Sequence, residues 1–218
     1  MTSSPLSHKT LLYLVRHGAT AANERRPYVL QGSGVDNPLS ATGESQAESV
    51  ARLLSRIPLA AVYCSRMRRA AQTATAIASR HAFEPTPLDS IHEVDVGQWE
   101  GLSWIDIEAR HREQYDAFIA SPGTVAYLGG ESYANVLTRA EPIFTSLFRR
   151  HVGERIAVVA HNVVNRAYLS HLLGLDINLA KNIEQTNTCV NVIEWDHERE
   201  RGSLLTLNAN FHVPGVLE

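Results

Sequence analysis

The chain has only two cysteines in 218 residues, Cys64 and Cys189, far apart and in no metal-ligand spacing. This excludes a disulfide-rich framework, and the pair reads as two inert or buried thiols of a cytoplasmic protein. An excess of charge of one sign is also missing. The formal net charge is −3, which gives no general attraction to nucleic acid or to an anionic membrane surface. Basic clusters with interleaved aromatics, the footprint of nucleic-acid binding, are absent. No apolar run approaches the length of a transmembrane helix. Residues 1–10 are polar and Ser-rich, and the apolar stretch that follows is too short for a signal-peptide core and runs straight into Arg16. There is no internal repeat and no low-complexity tract. Metal-ligating residue types do not cluster; the best candidate is His92 beside Glu93, and one adjacent pair does not make a site. These absences lead us to expect no metal, no cofactor, no nucleic acid and no membrane as partners.

What is present is ordinary for a globular chain: 44% hydrophobic and 20% charged residues. The length suits one domain, residues 1–218, with 1–9 flexible. Residues 10–16 read as a buried strand and 19–39 as a long polar loop with Pro27, Gly32, Gly34 and Pro38. Residues 40–57 carry Ala47, Val50, Ala51, Leu54 and Ile57 at helical spacing. A strand over 60–65, an Ala-rich helix over 68–81, a single amphipathic helix over 103–120 and another helix over 132–150 follow. A second buried strand is expected over 155–160, a helix over 163–173, and strands over 189–195 and 203–207 joined by a charged turn. This alternation argues for an α/β fold with a mostly parallel sheet. The late hairpin implies an antiparallel member near one edge. The strand 189–195 suits either the interior of the sheet or the edge of a homodimer.

Two apolar strands each finish in a histidine, Val15-Arg16-His17 and Val159-Ala160-His161. If they are neighbours in one parallel sheet, both imidazoles meet at its carboxyl edge, where ligands bind in open α/β sheets. Histidine is a competent nucleophile toward phosphorus. Gly18 is expected to let the backbone approach a bound group. A third strand runs into a helix with Arg66, Arg68 and Arg69 in or before its first turn. Cations there oppose the helix dipole unless an anion is present, so an anionic ligand is expected.

These segments resemble the histidine phosphatase superfamily, the branch that includes cofactor-dependent phosphoglycerate mutases and their phosphatase relatives. The resemblance rests on Leu-Val-Arg-His-Gly-Ala-Thr-Ala-Ala-Asn (14–23), the run 31–40 with Gly43 and Gln46, Ser65 through Ala74, Glu93 through Gly101, Gly-Gly-Glu-Ser (129–132) and Val-Val-Ala-His (158–161). It covers about residues 11–212. It implies a three-layer αβα sandwich with one antiparallel edge strand and a helical and loop cap, an insertion at 102–135, over the site. By the resemblance His17 takes the phosphoryl group, Arg16, Arg69 and His161 surround it, and Glu93 is the proton donor that later activates water. Asn23 is expected to hold phosphate or steady the nucleophile. Gln31 and Gly32 lie in a substrate-touching loop, whereas Arg66 and Arg68 are surface or rim charges. The chemistry asks for a neutral His17 and favours a protonated His161, so neighbouring charges are expected to push the two apart.

The run Val-Asp-Val-Gly-Gln-Trp-Glu-Gly (94–101) looks like the phosphatase branch, and the long basic insertion of the mutases is missing. The triplet Arg110, His111 and Arg112 reads as a solvated helix face. Asn162 stands where relatives commonly have Gly; its amide would still donate to phosphate. A similar His-Asn run occurs in plant relatives acting on a carboxylated pentitol phosphate, a pointer toward sugar or sugar-acid phosphates. The expected function is that of a metal-independent phosphomonoesterase working through phosphohistidine on a small-molecule phosphate ester. A phosphoglycerate mutase and a phosphatase-like binding or scaffold protein are the alternatives; the latter would lack a core residue, and His17, Arg16, Arg69, Glu93 and His161 are all present. Trp99, Trp104, Tyr115, Phe118 and Tyr127 are candidates to line the site.

Overall fold

The computed structural model describes residues 8–213. Of the tail expected to be flexible at 1–9, residues 1–7 lie outside the described residues. Lys9 opens the first strand, β1 (Lys9–Arg16), and its Nζ donates to Glu194 at 2.7 Å. The remaining strands are β2 (Ala61–Ser65), β3 (Thr86–Leu88), β4 (Arg155–Ala160), β5 (Val190–Asp196) and β6 (Arg201–Ala209). They form one sheet in the order β3-β2-β4-β1-β5-β6. The first four in that order are mutually parallel, and β5 pairs antiparallel with both β1 and β6. The antiparallel member expected at the edge is therefore one place in from it. The hairpin returns β6 outside β5, and β6 takes the edge.

The central strands are buried on both faces, as continuous apolar runs in a parallel sheet require. Along β4, Ile156, Val158 and Ala160 enter one core cluster, and Ala157 and Val159 enter the other. Beneath one face lie α2 (Ala41–Leu54) and α3 (Arg68–Ser79), which contribute Val50, Ala51, Leu54, Ala70, Ala74 and Ile77. The opposite face is covered by α6 (Tyr133–Arg150) and α7 (Asn162–Leu172). This gives the three layers.

Two short helices, α4 (Trp104–Arg110) and α5 (Arg112–Ala120), replace the single helix expected over 103–120. His111 breaks it with φ −134° and ψ 44°. Neither Gly nor Pro marks the break, and Arg112 spans it by pairing with Glu108 on one side and Asp116 on the other. Arg110 pairs with Asp106, so the basic triplet is a solvated face. The polar loop 19–39 contains a four-residue helix, α1 (Ala21–Glu24), closed by a capping box between Thr20 and Asn23. No helix among the described residues is long and apolar enough to cross a membrane.

Candidate active site

Parallel pairing of β1 with β4 sets Arg16 opposite Ala160. The next residue of each strand is a histidine, and the His17 amide donates to the Ala160 carbonyl at 3.1 Å. The two imidazoles meet with ring centroids 5.1 Å apart. The juxtaposition follows from register alone.

His17 is buried. Its Nδ1 lies 2.7 Å from the Gly18 carbonyl oxygen. A carbonyl only accepts, so Nδ1 carries the proton and Nε2 keeps its lone pair. The Arg69 Nε–H points at that Nε2 from 3.3 Å. Burial, with Arg69 and Arg16 nearby, holds His17 well below the usual imidazole range, so the ring is neutral.

Arg69 is almost fully buried in the first turn of α3. Its Nη1 and Nη2 donate to the carbonyls of Val35 and Gly32 at 3.0 and 3.1 Å. Those carbonyls are fixed from behind by Glu100, which accepts the amides of Gly32 and Gly34 at 2.8 and 3.2 Å. Gly32 thus aims Arg69, and both its backbone groups are occupied. Arg16 donates Nη1 to the Gln185 carbonyl and leaves Nε buried without a protein partner.

Glu93, also buried, sits against the N-terminus of α7. Its Oε2 accepts the Asn162 amide at 3.0 Å, and its Oε1 accepts those of Val163 and Val94 at 3.1 and 3.0 Å. A carboxylate is well placed on these otherwise orphaned donors. The Asn162 amide expected to reach for phosphate is therefore engaged by Glu93; the side-chain Oδ1 of Asn162 is buried and unpartnered. From the other side Arg139 of α6 binds Glu131 through Nε and Nη2. It also donates to the carbonyls of Ser90, His92 and Glu93 at 2.7, 2.8 and 3.2 Å. The Gly-Gly-Glu-Ser segment thereby holds the irregular segment that presents Glu93.

His161 is fully buried, and neither ring nitrogen has a protein partner. The sequence led us to expect its affinity for protons to be raised against that of His17. The structure lowers both, His161 by burial first and then by Arg69. No carboxylate faces its ring to offset them, because Glu93 is turned onto α7.

Arg16, His17, Asn23, Gln31, Glu93 and Asn162 line one cavity. Arg69 and His161 lie against the His17 ring from beneath. Asn23 uses its Oδ1 on the Thr20 amide and hydroxyl. Gln31 accepts from the Thr20 hydroxyl at 2.7 Å and leaves its Nε2 buried without a partner, a free donor in the wall. Gly18 serves another purpose than expected: a Cβ there would meet the Gly43 carbonyl oxygen at 2.5 Å, so it admits the start of α2 rather than a ligand. Arg66 pairs with Asp89 on the surface, and Arg68 is exposed. Of the aromatic candidates, Trp99 is core, whereas Trp104, Phe118 and Tyr127 wall an adjoining cleft that Tyr115 does not line.

Four residues that sequence reasoning passed over belong here. Tyr28 lines the cavity. Gln185 holds Arg16, and Asn187 donates Nδ2 to the His17 carbonyl at 3.0 Å. Arg166 lines the adjoining cleft. Its signal was visible: it follows Asn162 by four residues on α7, hence on the same face.

The fold gathers two histidines, two arginines and a glutamate at the carboxyl end of the parallel strands. The model for the histidine phosphatase superfamily (branch 1) matches residues 12–209, so the chain belongs to that superfamily. It is 32% identical over 202 residues to phosphoserine phosphatase 1 of Hydrogenobacter thermophilus, covering 93% of each chain. It is 33% identical over 165 residues to a metal-independent phosphoserine phosphatase of Arabidopsis thaliana, covering 74% of this chain and 68% of the relative. Among solved structures, Bacillus stearothermophilus YhfR superposes with a TM-score of 0.84 at 28% identity, covering 94% of this chain and 99% of that one. Mycobacterial glucosyl-3-phosphoglycerate phosphatase does so with a TM-score of 0.82 at 26% identity, covering 92% and 99%. The relatives are named phosphatases, so the enzyme class expected from the sequence, a phosphatase of small phosphorylated metabolites rather than a mutase, stands.

Proposed function

We propose that the chain hydrolyses a phosphate monoester in two steps through a phosphohistidine on His17, without a metal, and that phosphoserine is the first substrate to try. The observation that carries this reading is the tautomer of His17. Its proton is tied to a carbonyl on Nδ1, which leaves Nε2 unprotonated, with its lone pair accepting the Arg69 Nε–H at 3.3 Å.

In the first step Glu93 takes part in its acid form, which the arriving dianion favours; Nε2 attacks phosphorus, the P–O ester bond breaks, and the leaving alcohol oxygen takes the proton from Glu93. Arg16, Arg69 and the Gln31 amide spread over the charge of the transferring oxygens, which is where positioning and electrostatics do most of the catalysis in phosphoryl transfer. An arriving dianion also favours a proton on His161, turning that buried imidazole into a further donor. In the second step water gives a proton to the Glu93 carboxylate and attacks the phosphoryl group. The N–P bond breaks, and inorganic phosphate leaves with neutral His17 restored.

The test is phosphate release from a panel of monoesters with and without EDTA. Release that survives EDTA, is inhibited by vanadate and vanishes in His17→Ala is the expected result. A metal requirement, or turnover in His17→Ala, would overturn the reading.

A further inference from the structure

A second cleft opens beside the phosphate cavity and shares Arg16, Tyr28, Leu30, Tyr127 and Asn162 with it. The inner cavity offers about 40 Å³ and the outer cleft about 340 Å³. The inner one suits a phosphoryl group, and the outer one has room for whatever the ester oxygen carries. Charge in the outer cleft is one-sided. Arg16, Arg166 and Lys181 line it, and no Asp or Glu among the described residues does.

Neither Arg166 nor Lys181 has a carboxylate within ion-pair distance among the described residues. Arg166 is half-buried, held by Nε on the Ile183 carbonyl at 2.7 Å. That bond fixes the planar head and leaves the terminal nitrogens, which face the Tyr133 hydroxyl, for a further partner. Lys181 uses one of its three donors on the Ile119 carbonyl at 3.0 Å, at the end of α5. A partly buried guanidinium without a carboxylate partner, at the wall of an aromatic cleft, is suited to bidentate binding of an anion.

Spacing is supplied by α7. Asn162 in the shared wall and Arg166 in the outer one are four residues apart, about 6 Å along the helix axis. The two cavities also share five lining residues, so a phosphoryl group in the inner one and an anion on Arg166 suit the two ends of one small ester. Asn162 lines both cavities, and its Oδ1 is a buried acceptor without a partner among the described residues. It matches a hydroxyl or ammonium on the carbon beside the second anion.

Resting on the phosphatase reading, we propose that the outer cleft is a carboxylate subsite. It selects phosphate esters whose carboxylate lies about four bonds from phosphorus, with Arg166 as its main partner and Lys181 at its rim.

Two esters that share a skeleton test this: 3-phosphoglycerate, and glycerol 3-phosphate, in which a hydroxymethyl group replaces the carboxylate. We expect the wild type to favour the former by about 10- to 100-fold in kcat/KM, the range of a charged hydrogen-bonded contact. Arg166→Gln should collapse that ratio to within about threefold of unity, mainly by raising KM for 3-phosphoglycerate, and Arg166→Lys should restore part of it. Lys181→Gln, at an exposed side chain that folding tolerates, should lower the ratio severalfold and keeps the test valid should Arg166→Gln fail to fold. Equal use of the two esters by the wild type, or a ratio untouched in the variants, would overturn the subsite. So would hydrolysis confined to esters that carry no carboxylate. Failure to release phosphate from any ester would instead overturn the phosphatase reading on which the subsite rests.

Discussion

A histidine kept neutral by its surroundings has a cost that pH reveals. His17 and His161 both have folded-state affinities for protons well below the ordinary value near 6.5, chiefly through burial. Above that value neither the folded nor the unfolded chain protonates them, and they contribute no pH dependence. As the pH falls below about 6.5 the unfolded chain takes up protons that the folded one refuses, so stability falls until the lowered folded-state values are reached. We predict a melting temperature that drops between pH 7.5 and 5.5, and a shallower drop in His161→Gln, measured by thermal denaturation across that range. Identical slopes in the two proteins would show that His161 is not a buried neutral base. The sequence indicated the pair of histidines but not this shared direction. Whether a carboxylate faces His161 depends on where Glu93 turns, and Glu93 turns to cap α7.

At the scale of elements, function depends on the segments that aim the site as much as on the site itself. Arg139 joins α6 to Glu131 and to three carbonyls of the irregular segment 90–93. Breaking a buried ion pair by removing one partner costs about 3–5 kcal/mol, and the partial exposure of this one argues for the lower end. Arg139→Ala should therefore lose roughly 3 kcal/mol in urea denaturation and, in the folded fraction, most of its kcat, because Glu93 is no longer held. A variant with full kcat would show that the segment 90–93 holds itself. Gly43 lets α2 press against the loop after β1, where a Cβ would run into the Ala19 carbonyl oxygen. Gly43→Ala should lose about 1–3 kcal/mol, the usual cost of overpacking, and a neutral melting curve would refute the contact. Helices and strands were legible to within a few residues because their apolar periods are strong: the strand expected over 155–160 is β4 itself. The three-residue β3, the short α1 and the break at His111 were not legible, since pairing and packing set them rather than local pattern.

Across the whole molecule, one topological fact organises the chemistry. β1 and β4 are 139 residues apart from Arg16 to Arg155 in sequence, yet they are adjacent and parallel, and each delivers its histidine to the same edge. The motif order made that edge readable from the sequence. Contributions from distant loops were not readable in the same way. The segment Gln185–Thr188 binds Arg16 and the backbone of His17, and the end of β6 with the residues just after it clamps it in turn. Asn208 accepts the Thr186 amide at 2.8 Å, and the His212 imidazole donates to the Thr188 carbonyl at 3.0 Å. Asn208 and His212 thus support the end of β1 that carries His17. All of these supports converge on His17 Nε2, and the most direct measurement of the account is to find where the phosphoryl group goes. The enzyme would be mixed with a hydrolysed ester, quenched at alkaline pH within one turnover and mapped by peptide mass spectrometry. The account predicts a phosphoryl group on the imidazole of His17, absent in His17→Ala. A phosphoryl group on any other residue, or hydrolysis with none at His17, would contradict it.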